Sequence, residues 1–210
     1  MWKKCLEAMA DLKTIQLITS PIQTNTYVLY KSTDAILIDP GDDAKLIKSV
    51  LDEKGLSCKS VLLTHSHFDH CNATKFFQDL GATVCMYKDE AFVLENGFNL
   101  PEMCYGGFNY FTPDRLFSNE ENFTLCDVSF KVIHTPGHTK GSCCYLTGDY
   151  LFSGDTLFRL GRGRTDFPTG NELELKKSIK ELYKLDGDYQ VFPGHGELTT
   201  LDFERRYNDV

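Results

Sequence analysis

Apolar and polar residues alternate through Lys13–Thr19, and short apolar, β-prone runs follow over 26–30 and 35–39. A period of two sends successive side chains to opposite faces of a pleated strand, so the chain is expected to open with three strands. The spacing then changes. Leu46, Ile47, Val50 and Leu51 recur on one helical face, Asp43 stands where an N-cap belongs, and Gly55 follows as a stop. Val61-Leu62-Leu63-Thr64 is short and apolar, the signature of a buried strand. Asn72 offers an N-cap to a helix over 73–80, which Gly81 ends. Further strands are expected at 128–133, 150–152 and 189–192. Asn171 with Glu174 resembles a capping box, and the helix it starts buries Leu175, Ile179 and Leu182. These stripes read as core.

Residues 88–125 break the pattern. Phe92, Phe98, Tyr105, Phe108, Tyr110, Phe111, Phe117 and Phe123 fall there without a clean period, and Gly106-Gly107 lies among them. Two readings stand side by side: a lid or binding loop that gives an acyl group an apolar wall, or a packed surface loop whose rings fill the gap between layers.

The chemistry is concentrated in the histidines. Thr64-His65-Ser66-His67-Phe68-Asp69-His70 follows the Val61 strand; His138 sits in Thr135-Pro136-Gly137-His138, Asp155 in Ser153-Gly154-Asp155-Thr156, and His195 in Pro193-Gly194-His195-Gly196. In extended chain His65 and His67 point the same way and can grip one ion, while the turn into the next helix swings Asp69 and His70 toward a second. His138, Asp155 and His195 each follow an expected strand, where a rigid scaffold carries variable loops. A lone histidine is ordinarily a packed or surface residue; this run, followed by three more candidates in glycine-flanked loops, is not explained that way. Asp155 is the natural bridge, since a carboxylate has two oxygens for two ions, and without metal the pocket would crowd carboxylates and imidazoles with little compensation. His134 stands outside the set and reads as a packing or supporting residue. Cys71, next to His70, reads as packing rather than as a ligand.

Composition narrows the partners. A chain of 210 residues, 41% hydrophobic and 25% charged, suits one globular domain with a substantial core. No linker, repeat or low-complexity run divides it, so residues 1–210 are expected to be a single domain. The net charge of −8 and the lack of a long Lys/Arg cluster argue against nucleic acid. Eight cysteines show no C-x-x-C pair, and such a set in an intracellular enzyme is ordinarily reduced. Met1-Trp2-Lys3-Lys4-Cys5-Leu6-Glu7 lacks the apolar stretch of a secretory signal, and nothing approaches the ~20 apolar residues of a bilayer span. A cytoplasmic address without membrane association is the expectation.

The motifs Asn25-Thr26-Tyr27, Ile38-Asp39-Pro40-Gly41, His134-Thr135-Pro136-Gly137-His138-Thr139, Gly154-Asp155-Thr156-Leu157-Phe158 and Pro193-Gly194-His195-Gly196 resemble the metallo-β-lactamase superfamily, and within it the glyoxalase II-like hydrolases, over roughly residues 15–208. The resemblance implies an α+β fold, a four-layer αββα sandwich with the site at one edge. It implies one metal held by His65, His67, His138 and Asp155 and a second by Asp69, His70, His195 and the same Asp155, with Asp69 and Asp155 as the catalytic carboxylates. Two divalent ions are expected, zinc first and iron or manganese as alternatives. The reaction implied is attack of a bridging hydroxide on a thioester such as S-lactoylglutathione, with a thiolate leaving. Full-length glyoxalase II carries a further C-terminal helical domain; this chain stops soon after His195. Arg164 falls where that family places a basic residue for the glutathione carboxylate, whereas Asp166 stands where an aromatic is usual, and Gly163-Arg164-Thr165-Asp166-Phe167 also looks like the persulfide dioxygenases. A substrate carboxylate suits the Arg164 guanidinium; the competing reading is ion pairing with Asp166, Glu172 or Glu174, and Arg159 and Arg162 stay open.

The alternatives are an iron-dependent persulfide dioxygenase and a lactonase or β-lactamase using the same nucleophile on a cyclic ester or amide. Asp155-Thr156-Leu157-Phe158 and Gly194-His195-Gly196 favour hydrolysis over the first, and the absent secretory signal counts against an antibiotic-degrading role. A non-catalytic metal-dependent binding module is disfavoured by the complete ligand set.

Overall fold

A computed structural model describes residues 12–104 and 106–210; Tyr105 and the amino-terminal run from Met1 lie outside the described residues. Two six-stranded sheets form the centre. The first runs in chain order through β1 (Lys13–Thr19), β2 (Thr24–Tyr30), β3 (Asp34–Ile38), β4 (Ser57–Leu63), β5 (Thr83–Tyr87) and β6 (Arg115–Phe117). Its opening pairs β1·β2 and β2·β3 are antiparallel, and the pairs from β3 to β6 are parallel. The second holds β7 (Asn122–Leu125), β8 (Val128–His134), β9 (Cys143–Thr147) and β10 (Tyr150–Gly154). After a short hairpin of β11 (Leu157–Phe158) and β12 (Gly161–Arg162) it is completed by β13 (Gln190–Pro193) and β14 (Thr199–Thr200). Only β10 and β13 run parallel in it.

Alternation along each strand sorts the side chains into layers. On β3, Ile36 and Ile38 face the core between the sheets, while Ala35 and Leu37 face the outer core. On β4 and β5, Leu62 and Cys85 point inward, and Val61, Leu63, Val84 and Met86 outward. The second sheet does the same: Phe152, Phe192 and Tyr145 enter the central core, Leu151, Val191 and Cys144 the opposite outer one. A strand apolar on both faces must be covered on both.

Helices provide that cover. α1 (Ala44–Glu53) and α3 (Thr74–Asp79) lie over the first sheet through Ile47, Leu51 and Phe77; the short α2 (Phe68–Cys71) and α4 (Glu90–Glu95) add Cys71 and Leu94. α5 (Glu172–Leu182) and α6 (Leu201–Tyr207) cover the second with Leu175, Ile179, Leu182 and Leu201. The result is the expected αββα sandwich. Among the described residues no helix is long and apolar enough to cross a membrane, and the described cysteines, from Cys58 to Cys144, are free thiols.

Several local expectations need correction. Asp43 precedes α1 in a left-handed conformation, φ 55°, and makes no side-chain cap; its carboxylate instead accepts from Ser20 N at 3.3 Å. The α1 stripe is narrower than its spacing suggests, since Ile47 and Leu51 are buried and Leu46 is exposed. Asn72 does not open the helix after it. It closes α2, and its Oδ1 accepts from Asn109 N at 2.9 Å, tying the ligand-bearing turn to the loop before β6. Asn171 does cap α5, accepting from Leu173 N and Glu174 N. The reciprocal bond of a capping box is absent because Asn171 N donates to Gly137 O, joining the helix to the His138 loop.

Residues 88–125 contain α4, a 3₁₀ turn at Pro101–Met103, β6 and β7. Its aromatics divide: Phe117 and Phe123 stack at 4.1 Å inside the central core, Phe111 is buried on the helical side, and Phe92 and Tyr110 are exposed.

Candidate metal centre

All histidines except His134 converge at one edge of the sandwich, on loops at the carboxyl ends of strands. β4 ends at Leu63 and its continuation carries His65, His67 and α2 with Asp69 and His70; His138 follows β8, Asp155 follows β10, and His195 follows β13. Two bonds stitch the sheets together here: Cys143 N donates to Thr64 O at 2.9 Å, and Asn25 N to Gly194 O at 2.7 Å. The Asn25 side chain donates to Pro193 O and Gly196 O, and Tyr27 Oη to Pro193 O, so β2 holds both sides of His195.

The side chains form two groups. Ligand atoms of His65, His67 and His138 lie within 4.8 Å of one another, as do those of Asp69, His70 and His195. In the first, His67 Nδ1 and His138 Nε2 stand 2.9 Å apart. In the second, Asp69 Oδ2 lies 3.2 Å from His70 Nε2 and 3.3 Å from His195 Nε2, and those two nitrogens are 3.3 Å apart. Atoms held at about 2.0–2.1 Å from one tetrahedral ion stand roughly 3.3 Å apart, so the second group already has the edges of such a polyhedron. Asp155 lies between the groups: Oδ2 is 3.5 Å from His138 Nε2 and 3.7 Å from His195 Nε2, and Oδ1 is 3.3 Å from His70 Nε2.

Ring orientation is set from behind. His70 Nδ1 faces Asp39 Oδ2 at 3.0 Å, His138 Nδ1 donates to Arg164 O at 2.7 Å, His65 Nδ1 meets Thr64 Oγ1 at 3.1 Å, and His195 Nδ1 lies 3.3 Å from Gln23 O. Each contact turns the other ring nitrogen into the site, the usual support for a metal-binding imidazole. Thr24 Oγ1 donates to Asp69 Oδ2 at 2.8 Å. Asp39 also comes near His65 and His70 as a third group, but its oxygens are taken by Thr64 N, Thr64 Oγ1 and His70 Nδ1. It orients the Thr64 and His70 side chains and leaves no oxygen unbonded toward the centre. Asp39, Thr24 and Asn25 are roles that sequence reasoning missed, although Asp39 and Asn25 lie in the motifs it quoted.

The residues present fit divalent cations. His65 Nε2 and Asp155 Oδ1 are buried without a hydrogen-bond partner among the described residues, and buried polar atoms are ordinarily satisfied. Electrostatics differ between the groups. Burial, then the neighbouring imidazoles, holds His65 and His67 well below the ordinary histidine value; burial lowers His138 too, against the opposing pull of Asp155. Burial in this group thus favours the uncharged imidazole. In the second group burial is overcome: Asp69, Asp155 and the Asp39 hydrogen bond raise His70, and the Asp69 hydrogen bond and Asp155 raise His195. Their charge in turn holds Asp69 well below the usual carboxylate range despite its burial. The carboxylates of this group thus favour positive charge beside them.

The remaining candidates lie around this centre. Arg164 is exposed, pairs with Asp166 through bonds of 2.6 and 2.7 Å, and stacks its guanidinium 4.0 Å over Phe167, whose ring packs edge-on against His67. Arg162 pairs with Glu172 at 2.9 Å, and Arg159 with Glu197. His134 stacks on Tyr87 at 4.2 Å, away from the centre. Cys71 Sγ donates to Ser66 O and His67 O, with its thiol held well above its usual value by burial, so it packs under the ligand turn.

The Metallo-beta-lactamase superfamily model matches residues 19–195. The chain therefore belongs to that superfamily, as a metallo-hydrolase of the αββα fold. It is 36% identical over 185 residues to a Haemophilus influenzae protein named hydroxyacylglutathione hydrolase GloC, spanning 83% of this chain and 86% of that one. Among solved structures it is similar to the BLEG-1 B3 metallo-beta-lactamase, with TM-score 0.87 and 36% identity over 94% of this chain and 98% of the other. It is also similar to TTHA1623 in a di-iron-bound form, with TM-score 0.83 and 31% identity over 93% and 98%.

Proposed function

We propose that the protein is a dinuclear metal-dependent thioester hydrolase acting on a thiol-conjugated hydroxy acid such as S-lactoylglutathione. The observation that carries the two-ion reading is the Asp155 carboxylate, which comes within 3.7 Å of imidazoles from both groups. His65, His67, His138 and Asp155 are assigned to one ion, and Asp69, His70, His195 and Asp155 to the other, with zinc as the first choice. The likeness to the Haemophilus influenzae hydrolase supports the substrate class.

Divalent ions bound there supply Lewis acidity toward a carbonyl and a water acidic enough to be a nucleophile near neutral pH. The protein's own part is positional. Asp39, Arg164 O, Thr64 and Gln23 O fix four imidazole rings, and Thr24 fixes Asp69. Phe167 beside His67 and Phe158 beside His195 give the mouth apolar walls. Arg164 is assigned to the substrate carboxylate. Its pairing with Asp166 is solvent-exposed and therefore weak, so a carboxylate on the substrate can replace it. A second reading, ring opening of a lactone or β-lactam, is favoured by the likeness to BLEG-1.

Release of free thiol from S-lactoylglutathione by zinc- or iron-loaded protein tests the assignment, with Asp155→Ala as the blank. Asp155-dependent release at least a thousandfold above the blank is expected, with metal content lowered in the variant. No release, together with turnover of a chromogenic β-lactam or a lactone, would replace the thioester reading by the second.

A further inference from the structure

Glu90 is fully buried at the start of α4, has no role in the chemistry above, and has no ion-pair partner among the described residues. Its carboxylate accepts four hydrogen bonds, arranged in pairs. Oε1 takes Ser66 N and Ser66 Oγ, both at 2.7 Å. Oε2 takes Thr139 Oγ1 at 2.6 Å and Gly141 N at 3.1 Å. Ser66 is the residue between His65 and His67; Thr139 directly follows His138. One carboxylate thus clamps together the loop after β4 and the loop after β8, which carry the whole first imidazole group. The approach is close: a Cβ on Gly141 would lie 2.1 Å from Glu90 N, so only glycine lets the second loop reach it. Burial pushes the Glu90 carboxyl up to about 7, against the hydrogen bonds from Thr139, Ser66 and Gly141. Burying a carboxylate in the absence of a cation is costly, and such a group persists where all its partners are donors.

The second group has separate anchors in Asp39, Thr24 and Gln23 O, none of which Glu90 touches.

We propose that Glu90 is a positioning residue for the His65, His67 and His138 ligand set, holding two loops at the separation that lets three imidazoles converge on one ion. This rests on the metal reading above. The chemistry explains why a carboxylate is needed. Each Glu90 oxygen takes one backbone N–H and one hydroxyl; glutamine offers one oxygen and an amide nitrogen, and in either orientation that nitrogen would confront a backbone N–H, which cannot accept.

The test is a two-step cobalt(II) titration followed by visible absorption and by chelator competition, on the full chain. His67→Ala and His195→Ala identify which step belongs to which group. Glu90→Gln is expected to weaken the step lost in His67→Ala by roughly tenfold or more, within the range seen when groups supporting a ligand are removed, and to leave the His195 step within about twofold. Ser66→Ala and Thr139→Val, which each remove one donor, are expected to shift the same step by a smaller factor, and they keep the question answerable if Glu90→Gln does not fold. Equal weakening of both steps would make Glu90 a general stabiliser and overturn the proposal, as would unchanged binding in all three variants. Wild-type protein that takes up no ion would overturn the metal reading itself, whereas normal uptake by wild type with unselective variants overturns only the Glu90 assignment.

Discussion

At the scale of single residues, the site depends on which nitrogen of each imidazole faces inward. The sequence names the histidines, but an imidazole has two nitrogens and its partner decides which is free. For His138 that partner is the carbonyl of Arg164, for His70 the carboxylate of Asp39. Arg164 therefore matters through its backbone as well as through its side chain, and the two can be separated. Arg164→Ala keeps the carbonyl and removes the guanidinium. It should raise KM for a carboxylate-bearing thioester by roughly tenfold, the worth of a charged hydrogen bond, with kcat little changed. An unchanged KM in steady-state thiol release would remove the side chain from substrate binding. The ligand run was legible because His65, His67, Asp69 and His70 are adjacent in sequence. Asp39 and Glu90 were not assigned roles because each acts across more than twenty residues, through groups such as Thr64 and Ser66 that carry no chemical signature of their own.

At the scale of elements, strand ends determine the geometry. β10 and β13 run parallel with a register shift after Phe152, which brings Asp155 and His195 out at the same edge. The loop after β13 passes so close to the other ligands that a Cβ on Gly194 would stand 2.2 Å from Asp155 Oδ1 and 2.6 Å from His70 Cε1. Gly194→Ala should cost about 1–3 kcal/mol of stability by overpacking and lower metal content with it; thermal denaturation and metal analysis of the purified variant check this, and full metal content would contradict the close approach. The strands expected from short apolar runs all lie in the sheets, because a strand covered on both faces is apolar throughout, but β5, β6, β7 and β9 were not anticipated. Helix starts were located less well. Asp43 and Asn72 carry good capping side chains, but tertiary partners, Ser20 and Asn109, draw them elsewhere. A cap is worth about 1 kcal/mol, which a competing hydrogen bond easily matches.

At the scale of the whole molecule, the centre lies where the two sheets meet, so ions bound there would bridge the halves of the sandwich. Metal binding is then linked to stability. An ion present at a hundred times its Kd adds about 2.7 kcal/mol, and a domain of this size gains roughly 2–4 °C per kcal/mol. Exhaustive chelation should therefore lower Tm by roughly 5–10 °C per ion, restored by re-addition of divalent metal, as differential scanning calorimetry would show. A Tm indifferent to chelator would mean that the ligands are not shared between the sheets in the manner assigned.

The sequence by itself determined where several strands and helices lie and which residue types gather as candidate ligands, because apolar runs, helical stripes and a dense His/Asp run depend on local spacing alone; the four layers were implied by the resemblance to the superfamily. Only the tertiary structure decided which ring nitrogens point inward, that Arg164 pairs with Asp166, and that the Glu90 carboxylate ties the His65–His67 turn to the His138 loop. Those features are contacts between segments far apart in the chain. Their cause is the meeting of two sheet edges, which spacing along one strand does not encode.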